Sequence, residues 1–343
     1  MSSLYLTEQG SSVFKRGKQL VIVKDSKIIA RVKTFDLTQV VLFGNINIST
    51  PVIHFLLREG IELVFLSPSG KFRGRLISSY PKNVQLRKAQ FKKAEDESFK
   101  LNLSRKIVFA KLSNQIEVLR REVLRGRASL KGKIEGMKSL LSEVEKVGSI
   151  DSLRGYEGRA SAIYFSAFSE ILKSSGWNFK GRTYHPPQDE FNSLLSFLYT
   201  LLLNQMENFL LRHSLEPILG FFHAEEYGKP ALALDLMEEW RPVVADYTAL
   251  KLVREGNINL EDFYRPGKES PPYPELVEDF RHLPVVLTKD GIKKIVLAFE
   301  RRFSEAVNYK SKKVKIKEAM EGQVLSIKDE IMGEGEYMGF VWR

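Results

Sequence analysis

The chain has 343 residues and no cysteine, which excludes disulfides, thiolate-held zinc, iron–sulfur clusters and a cysteine nucleophile. It is 43% hydrophobic and 28% charged, a globular composition with room for about two domains. The net charge is +11 and uneven: residues 1–140 hold 27 Lys and Arg against 11 Asp and Glu, the remainder 26 against 31. The basic first part suits a polyanion, nucleic acid before membrane, and leaves the acidic residues of the second part available for chemistry. The opening MSSLYLTEQG has no basic segment followed by an apolar one. The most apolar run, Leu194 to Leu203, is ten residues, where a membrane span needs about 20. A cytoplasmic protein outside the membrane is the expectation.

Residues 1–80 read as β structure. Short apolar runs recur between turn residues: Leu4–Leu6, Leu20–Val23, Ile28–Val32, Val40–Phe43, Leu63–Phe65 and Leu76–Ile77. LVIVKDSKIIARV predicts a hairpin turning at Asp25-Ser26, and SPSGKFRGR a second turn leading into a basic strand. One helix interrupts them, capped by Thr50, with Pro51 in its first turn and its end near Gly60. Strands at this spacing suit a small sandwich or barrel. After SSYPKN the period becomes helical. NVQLRKAQFKKAEDESFKLNLSRKIVFAKLSNQIEVLRREVLR runs more than 40 residues without Pro or Gly, apolar at threes and fours and basic elsewhere. Further helices are predicted near 131–146, 151–174, 189–213, 231–255, 288–304 and 311–331, with breakers at Gly148, Gly176, HPPQ, Gly228 with Pro230, and Pro266 through Pro274. The fold class is α+β: an N-terminal β domain, 1–80, and a larger all-α domain, 81–343.

Two segments carry chemistry. In RGYEGRASAIYF, Glu157 sits early in a helix that Asp151 can cap. Gly155 and Gly158 each cost a helix about 1 kcal/mol against alanine, a cost that points to close approach around that carboxylate. Tight helix packing beside an exposed Glu accounts for the same pattern. In GFFHAEEYGKPALALDLMEEWRPVVAD, His223 follows two aromatics. Asp235, Glu238 and Glu239 then stand at i, i+3 and i+4, so one helical face clusters carboxylates about 5–6 Å apart among apolar neighbours. A divalent cation would relieve both their repulsion and their burial, and Arg241 can orient a ligand carboxylate. An amphipathic helix with an acidic solvent face is the plain alternative. Taken together, Glu157, His223 and Glu238 are oxygen and imidazole donors suited to Mg²⁺ or Mn²⁺, and the basic half suits delivery of an anionic phosphodiester.

Over nearly its whole length the sequence resembles the CRISPR-associated adaptation nuclease family, the metal-dependent integrases that insert spacers into the CRISPR array. The resemblance rests on six segments in order: LYLTEQGSSVFKRGKQLVI, TPVIHFLLREGIELVFLSPSGKFRGRL, RGYEGRASAIYF, DEFNSLLSFLYTLL, ILGFFH and LALDLMEEWRPVVAD. The family's metal pattern of Glu, His and acidic residue falls on Glu157, His223 and Glu238, with Asp235 as the adjacent acidic position. The resemblance implies a β-sandwich joined to a helical catalytic domain and a homodimer formed through the N-terminal part. It also implies a small ferredoxin-like partner completing a heterohexamer. The implied reaction is attack by the 3′-hydroxyl of a captured DNA fragment on a repeat phosphodiester, with endonuclease activity on branched DNA and disintegration at the same site.

Other residues are weaker candidates. Asn192 suits a hydrogen bond near the site, or helix capping. Tyr164 suits contact with DNA or His223, or core packing. Lys310, Lys312, Lys313, Lys315 and Lys317 suit phosphate neutralisation, or a solvated helix start. Arg73 and Arg75 suit the DNA or the dimer interface. His54 reads as structural, and His185, His213 and His282 lack metal-ligand spacing. The rival functions are a non-catalytic basic DNA-binding scaffold whose acidic helix docks a partner, and a hydrolase of small phosphoesters.

Overall fold

The computed structural model describes residues 2–78, 83–183, 186–224, 226–266 and 283–343. Its first eight strands are β1 (Ser2–Leu6), β2 (Ser12–Arg16), β3 (Gln19–Lys24), β4 (Lys27–Lys33), β5 (Leu37–Phe43), β6 (Asn47–Ile48), β7 (Glu62–Leu66) and β8 (Phe72–Leu76). Helix α1 (Thr50–Arg58) lies between β6 and β7. The strands form two four-stranded sheets, in the orders β1-β5-β7-β8 and β4-β3-β2-β6. β5 runs parallel to β1 and β7, and its burial on both faces is why VVLF is an unbroken apolar run. Leu42 and Leu63 of one sheet, Leu20 and Ile22 of the other, and Val52 and Phe55 of α1 share one core. The β3–β4 hairpin turns at Asp25 and Ser26, with φ of 48° and 62°. Two positive φ values in succession match the turn to the twist of its strands. Pro51 lies in the first turn of α1, but Ser49 rather than Thr50 holds the cap position.

Contacts divide the chain into Met1–Tyr80 with Leu260–Val296, and Pro81–Asn259 with Leu297–Arg343. Residues 260–296, placed by sequence in the helical part, therefore group with the first 80. Within that unit Lys24 and Lys289 both bind Glu8, at 2.6 and 2.5 Å. These hydrogen bonds hold the Glu8 carboxyl at about 2. A short pair, β9 (Phe263–Tyr264) with β10 (Val286–Leu287), adds buried residues there.

From residue 83 the chain is mainly helical: α2 (Val84–Ala94), α3 (Glu97–Leu124), α4 (Lys131–Glu143), α5 (Ile150–Lys173), α6 (Glu190–Arg212), α7 (Ala231–Met237), α8 (Tyr247–Arg254), α9 (Lys289–Ser304) and α10 (Ile316–Met332). The long Pro- and Gly-free run breaks once. Asp96 accepts from Phe99 N at 3.0 Å and starts α3 afresh, because Asp binds backbone donors better than it continues a helix. α5 is capped by Ser149, not Asp151: its hydroxyl accepts from Ser152 N, while Asp151 pairs with Arg154. The predicted helix 231–255 also divides. Pro242 lacks an N–H and its ring crowds the carbonyl four residues back, and residues Arg241–Asp246 form a π-helical turn between α7 and α8. The lysine-rich run is no helix start. It is a hairpin, β11 (Ala306–Tyr309) with β12 (Lys312–Lys315), turning at Lys310 and Ser311 with φ of 44° and 63°. Among the described residues, no helix is long and apolar enough to cross a membrane.

Candidate metal centre

The centre is assembled by α3, α5, α7 and the loop that precedes α7. That loop folds around one carboxylate. Asp235 is fully buried. Its Oδ2 accepts from Phe221 N and Phe222 N at 2.6 and 2.9 Å, and its Oδ1 from His223 N at 2.8 Å and His223 Nδ1 at 2.7 Å. Gly220 is required where the loop passes the helix: a Cβ there would stand 2.7 Å from the Ala231 backbone and 2.8 Å from Asp235 Oδ2. Arg154 of α5 donates to Phe222 O, and Ser104 of α3 to Phe221 O. With Nδ1–H given to Asp235, the imidazole keeps Nε2 as its free acceptor. That atom lies 3.7 Å from Glu238 Oε1.

Glu157 and Glu238 meet at a residue the sequence reading passed over. The ammonium of Lys111, on α3, lies 2.5 Å from Glu157 Oε1 and also contacts Glu238 Oε2. Burial alone would raise the Glu238 carboxyl, but Arg241 at 3.3 Å and Lys111 hold it at about 2. Burial likewise works against a charged Lys111, yet Glu238 and Glu157 push its pKa up. Glu238 therefore stays ionised in spite of its burial, because Arg241 and Lys111 flank it. Glu157 also accepts from Ser161 at 2.8 Å.

Among the described residues no three His, Asp or Glu side chains close on one ion as they stand, since Lys111 holds the space between two of them. The donor set nonetheless fits a divalent ion. Two carboxylates already share one cation, and the imidazole is oriented by a carboxylate behind it. Asp235, bound to four donors, stands behind His223. Glu239 faces elsewhere: it accepts from Gln323 Nε2 at 2.9 Å and Phe340 N at 2.7 Å, and burial raises its carboxyl to about 7. The acidic face expected at 235, 238 and 239 is therefore split between two environments.

Tyr164 is buried and donates to Asp246 at 3.0 Å, as Tyr199 does at 2.7 Å; it touches the core, not His223. Asn192 is buried and builds the 181–183 loop. It accepts from Arg182 Nη1 and Thr183 N and donates to Gly181 O, while Asp189 caps α6. Arg75 pairs with buried Glu62 at 2.8 Å, and Arg73 is exposed. Lys310, Lys312, Lys313 and Lys315 are exposed on the β11–β12 hairpin, with Lys317 half-buried in α10. His54 is exposed on α1, His213 meets Glu321 at 3.0 Å, and His185 and His282 lie outside the described residues. Lys111 did leave a signal: it falls at helical spacing from Ile107, Val108 and Gln115, on the buried side of α3.

The family described as CRISPR associated protein Cas1 matches residues 4–301. The chain belongs to that family. A Cas1 of Thermus thermophilus, named CRISPR-associated endonuclease Cas1 3, is 32% identical over 335 residues, covering 96% of this chain and 94% of the relative. Two solved structures share the fold. One, described as a casposase bound to integration product, has a TM-score of 0.82 at 20% identity and covers 99% of this chain and 93% of its own. The other, from a Cas6-RT-Cas1–Cas2 complex, has a TM-score of 0.81 at 24% identity, and this chain spans only 36% of it. Membership places the chain among the nucleases and integrases of CRISPR adaptation, and the non-catalytic scaffold reading falls.

Proposed function

We propose that this Cas1 joins the 3′-hydroxyl of a DNA fragment to a phosphodiester of the CRISPR repeat, and cleaves branched DNA, at a centre where Glu157, His223 and Glu238 hold Mg²⁺ or Mn²⁺. What supports this reading is the meeting of Glu157 and Glu238 on one buried cation, Lys111, with the oriented His223 imidazole 3.7 Å from Glu238. A divalent ion there would polarise a phosphodiester oxygen and favour an ionised hydroxyl. Asp235 holds the His223 proton on Nδ1 and keeps Nε2 as a ligand. Arg241 fixes Glu238. Lys111, displaced from the carboxylates, stands beside the centre as a counter-charge for a phosphate.

The exposed lysines of the β11–β12 hairpin and Arg73 suit the DNA backbone. Pairing of two copies is supported at the sheet edges: β4 is exposed along most of its length, with Ile28 and Ile29, and β8 exposes Phe72 and Leu76. In this reading the first unit is a sandwich, and a small ferredoxin-like partner completes a heterohexamer. The test is a gel of branched DNA, and of a fragment with a repeat-bearing plasmid and the small partner, in EDTA, Mg²⁺ or Mn²⁺. Wild type should give metal-dependent products that Glu157→Gln and His223→Ala lose while each still folds cooperatively and binds DNA. Products from Glu157→Gln would remove the assignment.

A further inference from the structure

The chemistry above makes no use of DEFNSLLSFLY, residues 189–199, the stretch that opens α6. Its last residue reaches the metal centre at one remove. The Tyr199 ring lies 4.7 Å from the Arg241 guanidinium, and Arg241 Nη2 stands 3.3 Å from Glu238 Oε1. The Tyr199 hydroxyl donates to Asp246 Oδ1 at 2.7 Å. One tyrosine therefore touches both ends of the π-helical turn Arg241–Asp246. Residues five apart in an α-helix point about 140° away from each other. The wider i→i+5 turn brings them to one side, and such turns concentrate at functional sites.

Packing alone does not account for the set. Asp246 is 1% exposed and gives both its oxygens to phenols, Oδ2 to Tyr164 and Oδ1 to Tyr199. A buried carboxylate is costly where an apolar side chain would fill the space. Tyr199 is only half-buried, and phenylalanine would pack there as well. A second guanidinium, that of Arg182, stands 5.2 Å from the same ring. Arg182 is itself tied to Asn192 Oδ1 at 2.9 Å and Ser196 Oγ at 3.1 Å. The start of α6 thus supplies the ring and anchors one of the two cations beside it.

We propose that Tyr199 and Asp246 are positioning residues for the metal centre. They hold Arg241 at one oxygen of Glu238, which leaves Oε2 for the cation that Glu238 shares with Glu157. The proposal rests on the DNA-joining reading above and deepens it. The ring holds the guanidinium by a cation–π contact, strongest where water is kept away, and the carboxylate behind the phenol holds the ring.

Single-turnover joining of a DNA fragment to the repeat, titrated with Mn²⁺ in the presence of the small partner, tests this. Tyr199→Leu removes the ring and should raise the Mn²⁺ concentration for half-maximal rate about 10–100-fold. In an Arg241→Met background the same change should cost nothing more, because residues that act through one another are not additive. Tyr199→Phe keeps the ring and loses only the hydroxyl. That variant and Asp246→Asn should each raise the Mn²⁺ requirement about three- to tenfold, the size of one hydrogen bond. A merely structural Tyr199 would lower the melting transition and leave the Mn²⁺ requirement of the folded protein where it was. Anisotropy of labelled branched DNA in EDTA should not change in Tyr199→Leu, whereas a tyrosine that touched the DNA would weaken binding there. An unchanged Mn²⁺ requirement, additive penalties in the double variant, or weakened binding in EDTA overturns the positioning role and leaves DNA joining intact. Wild type that gives no metal-dependent product overturns the underlying reading instead.

Discussion

Lys111→Met removes the charge that Glu157 and Glu238 share and keeps most of the aliphatic volume. Stripping one partner from a buried ion pair costs about 3–5 kcal/mol. Glu238, with 3% of its side chain exposed, retains Arg241 at 3.3 Å, and Glu157, at 20%, retains Ser161 and some water. The loss therefore falls near the lower end, about 3 kcal/mol in EDTA. At about 2–4 °C per kcal/mol for a unit of this size, melting should drop by roughly 6–12 °C. Mn²⁺ should restore most of it, because the vacated carboxylates gain an ion that binds only the folded state. Wild type should gain less from Mn²⁺, since the ion must first displace an ammonium. The assay is calorimetry of both proteins with EDTA and with Mn²⁺. An unchanged transition in EDTA, or equal gains from Mn²⁺, would refute the shared-cation geometry.

Asp235→Asn substitutes an amide NH₂ where four donors converge; strand-transfer activity should fall about 10–100-fold, with a weaker response of the melting transition to Mn²⁺ than wild type shows. Gly220→Ala forces a methyl against the Ala231 backbone and Asp235, neither able to yield; chemical denaturation should show a loss on the order of 1–3 kcal/mol, and an unchanged midpoint would mean the loop relaxes. Glu239, raised from 4.5 to about 7, binds its proton more tightly folded than unfolded. Its contribution is complete below the unfolded carboxyl range and lost as pH rises through about 7, by at most about 3 kcal/mol. Denaturation midpoints measured from pH 4 to 8 should fall across that window, and Glu239→Gln should flatten the fall.

What the sequence disclosed follows the range of the forces involved. The Asp25-Ser26 hairpin, the apolar strands and most helix spans are set by neighbours, and were legible. The grouping of Glu157, His223 and Glu238 was legible through residue type and through resemblance. Lys111 was legible only as a lysine at helical spacing from Ile107, Val108 and Gln115, because the groups it meets are set by the facing elements. The role of Asp235 hid for the same reason: its four donors come from a loop more than ten residues upstream. The β11–β12 hairpin was missed because Lys310-Ser311 carries none of the Gly or Asn that usually mark left-handed pairs. The split of 231–255 was signalled by Pro242 in plain view.

One turn of α3 faces two ways. Lys111 reaches Glu157 and Glu238, while Asn114 donates to Glu239 O at 2.7 Å and Phe340 O at 2.8 Å and accepts from Trp342 N at 2.7 Å. A single residue inserted between Asp96 and Ile107 would rotate everything beyond it by about 100°, swinging both side chains off their targets together. Length changes in this helix must be absorbed at the break before Asp96. The phase of one long helix acts as a key, aligning Lys111 with Glu157 and Glu238 on one side and Asn114 with the C-terminal tail on the other.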